Sequence, residues 1–238
     1  MQLFYHPEMG INSKEISFDR EESKHISKVL RKKEGDILKV TNGKGVLFNM
    51  EIIQFQNHRL TGKILEYEVE KPKPYQLHLA VAPTKMNDRF EWFLEKATEI
   101  GVDEITPILC DHSERKNIKK DRFERVLQSA MKQSLHYTLP ILNDLTPFSE
   151  FVKTAKNDQL FIAHCEEQQK FSLQTMVNPM KNSSILIGPE GDFSAQEIDL
   201  ALQNGFSAVS LGNSRLRTET AAIVACHTVA LINEIPLP

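Results

Sequence analysis

Cysteine is scarce in this chain: three residues, Cys110, Cys165 and Cys226, in a length of 238. Their number is odd, they lie far apart in apolar surroundings, and no two form a Cys-x-x-Cys pair. A disulfide framework and a zinc ribbon are therefore excluded, and reduced, mostly buried thiols are expected. Glycine and proline are modest at 10 and 11 residues, too few for collagen-like or low-complexity sequence. No apolar run approaches the eighteen or so residues of a membrane span. The first residues, Met1 to Pro7, lack a basic segment followed by an apolar one, so no signal peptide is read and a cytoplasmic location is expected. Strong charge of one sign is also missing, with a formal net charge of −3, which argues against a generic nucleic-acid coat.

Several catalytic signatures are absent as well. There is no Gly-x-x-x-x-Gly-Lys-Ser/Thr loop for nucleotide hydrolysis, and no Gly-x-Gly-x-x-Gly after a first strand for a dinucleotide. Gly43-Lys44-Gly45 sits in a β-turn instead. The eight histidines show no His-Glu-x-x-His and no tight ligand spacing, so no metal is expected, and no Gly-x-Ser-x-Gly elbow supports a serine hydrolase.

What is present divides at Glu70-Lys71-Pro72-Lys73-Pro74, a charged, proline-bearing stretch that makes a poor element and a good linker. Domains over 1–72 and 73–238 follow. The first 74 residues hold 13 Lys and Arg against 11 Asp and Glu, whereas the remainder is net acidic. Before the linker, short β-rich runs at 15–19, 37–41, 46–53 and 59–65 alternate with turn signals and predict a small β-barrel. Asp19 with Glu22 predicts a capped helix that buries Ile26, Val29 and Leu30. Lys28 and Arg31, with Lys24, Lys32 and Lys33, form a basic edge suited to an RNA backbone.

After the linker the rhythm is strand then helix, which predicts an α/β fold on a parallel sheet. Strands are expected at 77–81, 104–109, 160–163, 184–187 and 208–211. Helices are expected from an Asn87 cap to Gly101, from Asp121, from Thr146-Pro147, from a Ser194/Glu197 capping box to Gly205, and from Glu219 to about Glu234. Parallel sheets bind ligands beyond the carboxyl ends of their strands, so the loops after 163, 187 and 211 are the places for a site. His164 stands in the first. The second, Gly188-Pro189-Glu190-Gly191, brings backbone close to anything bound there. In the third, Arg215 and Arg217 precede a helix N-terminus, a position that repels cations and calls for an anionic partner.

Gly188-Pro-Glu-Gly-Asp-Phe-Ser194 followed by Leu211-Gly-Asn-Ser-Arg-Leu-Arg-Thr-Glu-Thr-Ala221 resembles the ribosomal RNA small-subunit methyltransferase E family, in the SPOUT class of knotted methyltransferases. His25-x-x-x-Val29-Leu-Arg31, Gly35-Asp36, Lys85, Glu95 to Val102, Pro107, Gln133-Ser134 and Pro140 agree, so the resemblance spans nearly the whole chain. It implies a PUA-like barrel that helps hold RNA, and a C-terminal α/β domain tied in a trefoil knot. It further implies S-adenosylmethionine as cofactor, held by His164, Ile187, Gly188, Pro189, Glu190, Gly191, Leu211, Gly212, Leu216, Thr218 and Ala221. The implied reaction is methylation of N3 of a uridine in small-subunit ribosomal RNA by a homodimer. Arg217, Glu190 and Glu219 are the catalytic candidates, and Lys28, Arg31, Lys85, Arg115 and Arg215 the RNA contacts. Two positions depart from the family pattern: Asp192 replaces a second glycine, and His136 replaces an arginine. The alternatives are a knotted methyltransferase acting on another RNA or on a ribose hydroxyl, and a noncatalytic RNA-binding assembly factor.

Overall fold

The computed structural model describes residues 2–166 and 170–234. The chain separates into two units: 1–72 together with 131–139, and 73–130 together with 140–238. Nothing in the sequence pattern signalled that 131–139 belongs with the first unit. Backbone hydrogen bonds place it there, because the Tyr137 carbonyl accepts from Gly45 N at 3.0 Å and from the Thr41 hydroxyl at 2.8 Å, while Leu139 N donates to Gly43 O.

The first unit contains β1 (Leu3–Tyr5), β2 (Glu15–Ser17), α1 (Arg20–Lys24), β3 (Ile37–Thr41), β4 (Val46–Gln56) and β5 (Arg59–Val69). Its sheet runs β1-β3-β4-β5-β2, with β1 parallel to β3 and the other pairs antiparallel. The strands β4 and β5 are joined by Asn57-His58, both at positive φ (52° and 63°), the backbone twist that suits a two-residue hairpin. No ladder joins β1 to β2 among the described residues. The predicted barrel is therefore a curled sheet whose edges meet through side chains. His6 Nε2 lies 3.3 Å from Ser17 O, and the Phe4 and Phe18 rings meet edge-on at 6.3 Å. Inside lie Leu38, Val40, Phe48, Met50, Ile52 and Leu60.

Two expectations for this unit change. Strand β1 was not anticipated, because three residues carry too little alternation to read. Val29, predicted to be buried beside Ile26, is 65% exposed. The chain widens into a π-turn over His25–Val29, and the larger number of residues per turn rotates Val29 off the buried face while Ile26 stays inside.

The second unit holds β6 (Leu77–Val81), α2 (Asn87–Ile100), β7 (Glu104–Leu109), α3 (Lys120–Ser134, whose last residues fall in the 131–139 segment), β8 (Ile141–Leu142), β9 (Thr146–Pro147), α4 (Phe148–Thr154), β10 (Gln159–Ala163), β11 (Phe171–Ser172), α5 (Leu173–Met176), β12 (Ser183–Ile187), α6 (Ala195–Gln203), β13 (Ser207–Ser210) and α7 (Thr218–Glu234). Every pairing is parallel, in the order β11-β13-β10-β12-β6-β7-β8, with β9 beside the end of β7.

Ala80, Ile108, Ile162 and Leu186 pack under α4 and α6 through Phe148, Phe151, Ile198 and Ala201. By strand alternation Leu79, Ile185 and Ile187 face the other way. There α2 and α7 pack together and α7 meets β6 and β12. Small residues Ala222, Ala225 and Cys226 on α7 permit that close approach, with the Cys226 thiol directed at Ala97 O.

Helix starts shift slightly from expectation. Met86, not Asn87, is the cap of α2, and the turn before it is held by the Thr84 hydroxyl donating to Met86 O. Thr146-Pro147 pairs with β7 and the helix begins at Phe148, since proline needs no partner for its nitrogen at either place. The Ser194/Glu197 capping box is present with both reciprocal hydrogen bonds. At Asp19 only the half in which its carboxylate accepts from Glu22 N is seen.

Candidate functional site

Three parallel neighbours, β13, β10 and β12, end side by side and release their loops at one edge. Between those loops lies a cleft with two connected lobes. One of about 620 Å³ is walled by His164, Gly191, Leu211 and Gly212, and one of about 400 Å³ by Gly188, Pro189, Glu190 and Arg217. Ala163, Cys165, Asp192, Arg215, Leu216 and Ala221 border both. These volumes suit a small organic ligand.

The loops are locked to one another by specific hydrogen bonds. Thr218, the first residue of α7, donates its buried hydroxyl to Gly188 O at 3.0 Å, fixing the third loop to the second. Asp192 stands at φ +62°, a left-handed conformation that Asp tolerates better than most side chains. Its carboxylate accepts from Cys165 N at 2.7 Å and from Phe193 N at 2.9 Å, fixing the second loop to the first. A glycine at this position could adopt the dihedral but could not make those bonds. His112 places Nδ1 at 3.0 Å from both Gly191 O and Asp192 O, so that nitrogen carries the proton.

Gly188 and Gly191 have ordinary φ, so the need for glycine is spatial. A Cβ on Gly188 would sit 3.1 Å from the Phe193 ring, and one on Gly191 3.0 Å from His112 Cβ. The contacts requiring small residues are thus made by the protein itself, where the sequence suggested a bound ligand. At Gly212 the reason is conformational, with φ +132° and no neighbour within 4 Å of an added Cβ.

All eleven residues expected to hold a cofactor line one or both lobes: His164, Ile187, Gly188, Pro189, Glu190, Gly191, Leu211, Gly212, Leu216, Thr218 and Ala221. Of the catalytic candidates, Arg217 is exposed and opens onto the smaller lobe; its carbonyl accepts from Ala221 N at 2.8 Å, while its guanidinium has no hydrogen-bonded or ionic partner among the described residues. Glu190 also borders that lobe, with one carboxylate oxygen accepting from Lys85 N at 2.9 Å. Glu219 does not border the cleft. It is buried, and its carboxylate turns to Arg89 at 3.9 Å. Helix periodicity explains this, because the residue after Thr218 points about 100° around α7 from it.

The expected RNA contacts also separate. Arg215 borders both lobes and is exposed, while Lys28 and Arg31 are exposed in the first unit, Arg31 at φ +56°. The Lys85 ammonium pairs at the surface with Glu114 at 2.8 Å. Arg115 is occupied: its guanidinium donates to Thr84 O at 3.0 Å and to Lys85 O, bracing the loop after β6. Within 113–125, Lys120 pairs with Asp144 and Arg122 with Glu91, which leaves less free positive charge than the sequence suggested.

His164 is 6% exposed, and neither ring nitrogen has a hydrogen-bond partner among the described residues. Burial holds its imidazolium form below the usual histidine range. The Lys170 ammonium, bonded to His164 O at 2.8 Å, pushes the same way, against the carboxylates of Asp192 and Glu166. Lys170, Glu166, Cys165 and Asp192 are cleft residues that motif reading missed; only Asp192, a residue tolerant of left-handed backbone in a glycine-rich turn, carried a usable signal. The described residues contain no group of three or more His, Cys, Asp or Glu able to hold a metal ion, and no helix among them is long and apolar enough to cross a membrane.

The family model for the RNA methyltransferase domain matches residues 71–230, and that for the RNA methyltransferase PUA domain matches 18–65. The chain belongs to the RNA methyltransferase family. Within it, the chain is 29% identical over 238 residues to the ribosomal RNA small subunit methyltransferase E of Rickettsia conorii, covering 97% of this chain and 95% of that protein. The crystal structure of a probable rRNA-methyltransferase from Porphyromonas gingivalis superposes with a TM-score of 0.92 at 38% identity and 98% coverage of both chains. A ribosomal RNA small subunit methyltransferase E from Neisseria gonorrhoeae bound to S-adenosyl methionine superposes at 0.87 with 25% identity, covering 98% of each chain. The family's PUA domain thus corresponds to the curled sheet of the first unit, and its methyltransferase domain to the parallel sheet that carries the cleft.

Proposed function

We propose that this protein transfers the methyl group of S-adenosylmethionine to N3 of a uridine in small-subunit ribosomal RNA, acting as a cytoplasmic homodimer. The observation that carries the reading is the cleft. Three loops chosen as cofactor loops from sequence meet there, with an unpaired cation, Arg217, at the rim. Relatives whose names specify small-subunit rRNA, and a neighbour bound to S-adenosyl methionine, support the substrate and cofactor. A trefoil knot in the C-terminal segment accords with β13 lying across β10 from β12 while α7 returns to pack on β6 and β12.

The cleft residues fit such a cofactor. Backbone-rich loops offer neutral donors and acceptors, while Asp192, Glu166 and Glu190 set carboxylates beside a ligand that carries positive charge. When bound, the cofactor supplies an electrophilic methyl group.

The chain's own task is to make a uracil N3 nucleophilic, since its lone pair is delocalised into two carbonyls and its proton must pass to solvent water as the N–CH3 bond forms. Arg217 would hold a uracil carbonyl oxygen as negative charge develops there. Glu190, already fixed through Lys85 N, would hold the loop rather than act freely. Buried Glu219 is not carried forward as a catalytic group. Lys28, Arg31 and Arg215 would take RNA phosphates, whereas Arg115 serves as a strut. In this reading the first unit, 1–72 with 131–139, grips RNA and the second unit holds the cofactor.

Calorimetry with S-adenosylmethionine, joined to mass spectrometry of rRNA nucleosides from cells lacking the protein, tests this. A missing N3-methyluridine and measurable cofactor heat are expected. A protein that binds rRNA but no cofactor would be an assembly factor, and loss of a different methylated nucleoside would reassign the target. Arg217→Lys should lower single-turnover methylation roughly 10- to 1,000-fold, the scale of a lost oxyanion donor, with cofactor affinity unchanged. A normal rate would remove Arg217 from catalysis.

A further inference from the structure

The loop after β12 is gripped by a turn that borders neither lobe of the cleft. That turn follows β7: Ser113 N donates to Cys110 O at 3.0 Å and Cys110 N to Ser113 Oγ at 3.0 Å, so Asp111 and His112 occupy its two central positions over a buried base. Asp111 fastens it to the start of α6. Its N–H donates at 2.9 Å to Glu197 Oε1, the oxygen that the capping box leaves over, and its carboxylate accepts from the Ser194 hydroxyl at 2.6 Å. The turn is thereby fixed independently of His112. Onto this base His112 adds a contact at the loop's least ordinary point. Its Nδ1 lies 3.0 Å from Gly191 O and 3.0 Å from Asp192 O, both acceptors, so one N–H is shared between two successive carbonyls. They converge where Asp192 adopts φ +62°, and the shared proton offsets the repulsion of two oxygens brought to one place. The approach is close enough that a Cβ on Gly191 would lie 3.0 Å from His112 Cβ.

We infer that His112 is a positioning residue for methyl transfer: from outside the cleft it holds the Gly191 and Asp192 carbonyls in place, so that the loop is ordered before the cofactor binds rather than by its binding. This rests on the methyltransferase reading of the cleft. Gly191 and Asp192 both border the larger lobe, and the Asp192 carboxylate passes the constraint on to Cys165 N in the loop after β10. One imidazole thus helps set two of the three loops. A loop already in its binding arrangement loses less conformational freedom when the ligand arrives, and that saving appears as affinity. His112 is itself exposed, so replacing it leaves the core under α4 and α6 untouched.

Two amide side chains separate this role from mere packing. Asparagine can place its N–H donor where histidine has Nδ1, whereas the longer glutamine places it where histidine has Nε2. In calorimetry with S-adenosylmethionine, His112→Asn should bind within about twofold of the wild type, and His112→Gln and His112→Leu roughly fivefold more weakly, the worth of one net hydrogen bond. A second measurement needs no cofactor: nitrogen NMR of the ligand-free wild type should find His112 Nδ1 protonated at neutral pH. Glutamine or leucine variants that bind as tightly as the wild type would overturn the inference, as would an asparagine variant as weak as the glutamine one, or an unprotonated Nδ1. Wild-type protein that shows the protonated Nδ1 yet binds no S-adenosylmethionine would instead refute the methyltransferase reading itself.

Discussion

The hydroxyl of Thr218 ties the third cleft loop to the second through Gly188 O, and its removal has a calculable cost. Thr218→Val keeps the shape and deletes the O–H, leaving Gly188 O buried without the donor that sits 3.0 Å away in the native protein. An unsatisfied buried acceptor costs roughly 1–3 kcal/mol. For a chain of this size each kcal/mol is worth about 2–4 °C in melting temperature, so a central cost of about 2 kcal/mol predicts a fall of roughly 4–8 °C. Thr218→Ser keeps the hydroxyl and loses one buried methyl, about 0.8 kcal/mol, and should melt above the valine variant. Because the lost bond sets the spacing of two loops that border the cofactor lobe, affinity for S-adenosylmethionine should fall with valine and hold with serine. Thermal melting and calorimetry on the three proteins check both parts. A valine variant that melts no lower than the serine one would show that the hydroxyl does not support the Gly188 carbonyl.

Asp192→Gly retains the left-handed dihedral but loses the carboxylate that accepts from Cys165 N, whereas Asp192→Ala loses the carboxylate and strains the backbone. Urea titration should therefore find alanine less stable than glycine by about 1 kcal/mol, and equal stabilities would contradict the strain. Stability should also fall in mild acid through His78. Its ring is packed edge-on against Phe151, with Nε2 2.7 Å from the Thr106 hydroxyl, and burial lowers its pKa against a smaller raising effect from Glu104. A lowered folded pKa means that the unfolded chain takes the proton first. The stabilisation is complete above about pH 6.5 and is lost as pH falls from there through the depressed folded value. The urea midpoint followed from pH 7.5 to 5 should drop, and His78→Gln should flatten the drop; an unchanged slope would exclude His78 as its source.

The β–α rhythm after the linker was legible in the sequence because each strand is a short apolar run and each helix a repeating apolar face, features set by neighbours three or four residues away. The Ser194/Glu197 box is local in the same sense, and so are the Gly188–Gly191 and Leu211–Ala221 loops, which marked the cleft before its shape was known. Val29 escaped because a π-turn changes the number of residues per turn, and periodicity assumes that number. The role of Asp192 escaped because its partner, Cys165 N, is 27 residues away in sequence. Charges could be counted but not assigned. Arg115, Arg122 and Lys120 looked as free as Arg217, yet only the fold decides which cations find carbonyls or carboxylates and which stay unpaired at the cleft. Local pattern thus determined which elements form and which loops are unusual. Tertiary structure alone decided that the His164 ring is buried without a hydrogen-bond partner among the described residues, that Glu219 turns away to Arg89, and that 131–139 belongs with the first unit, because burial and pairing depend on residues that sequence separation conceals.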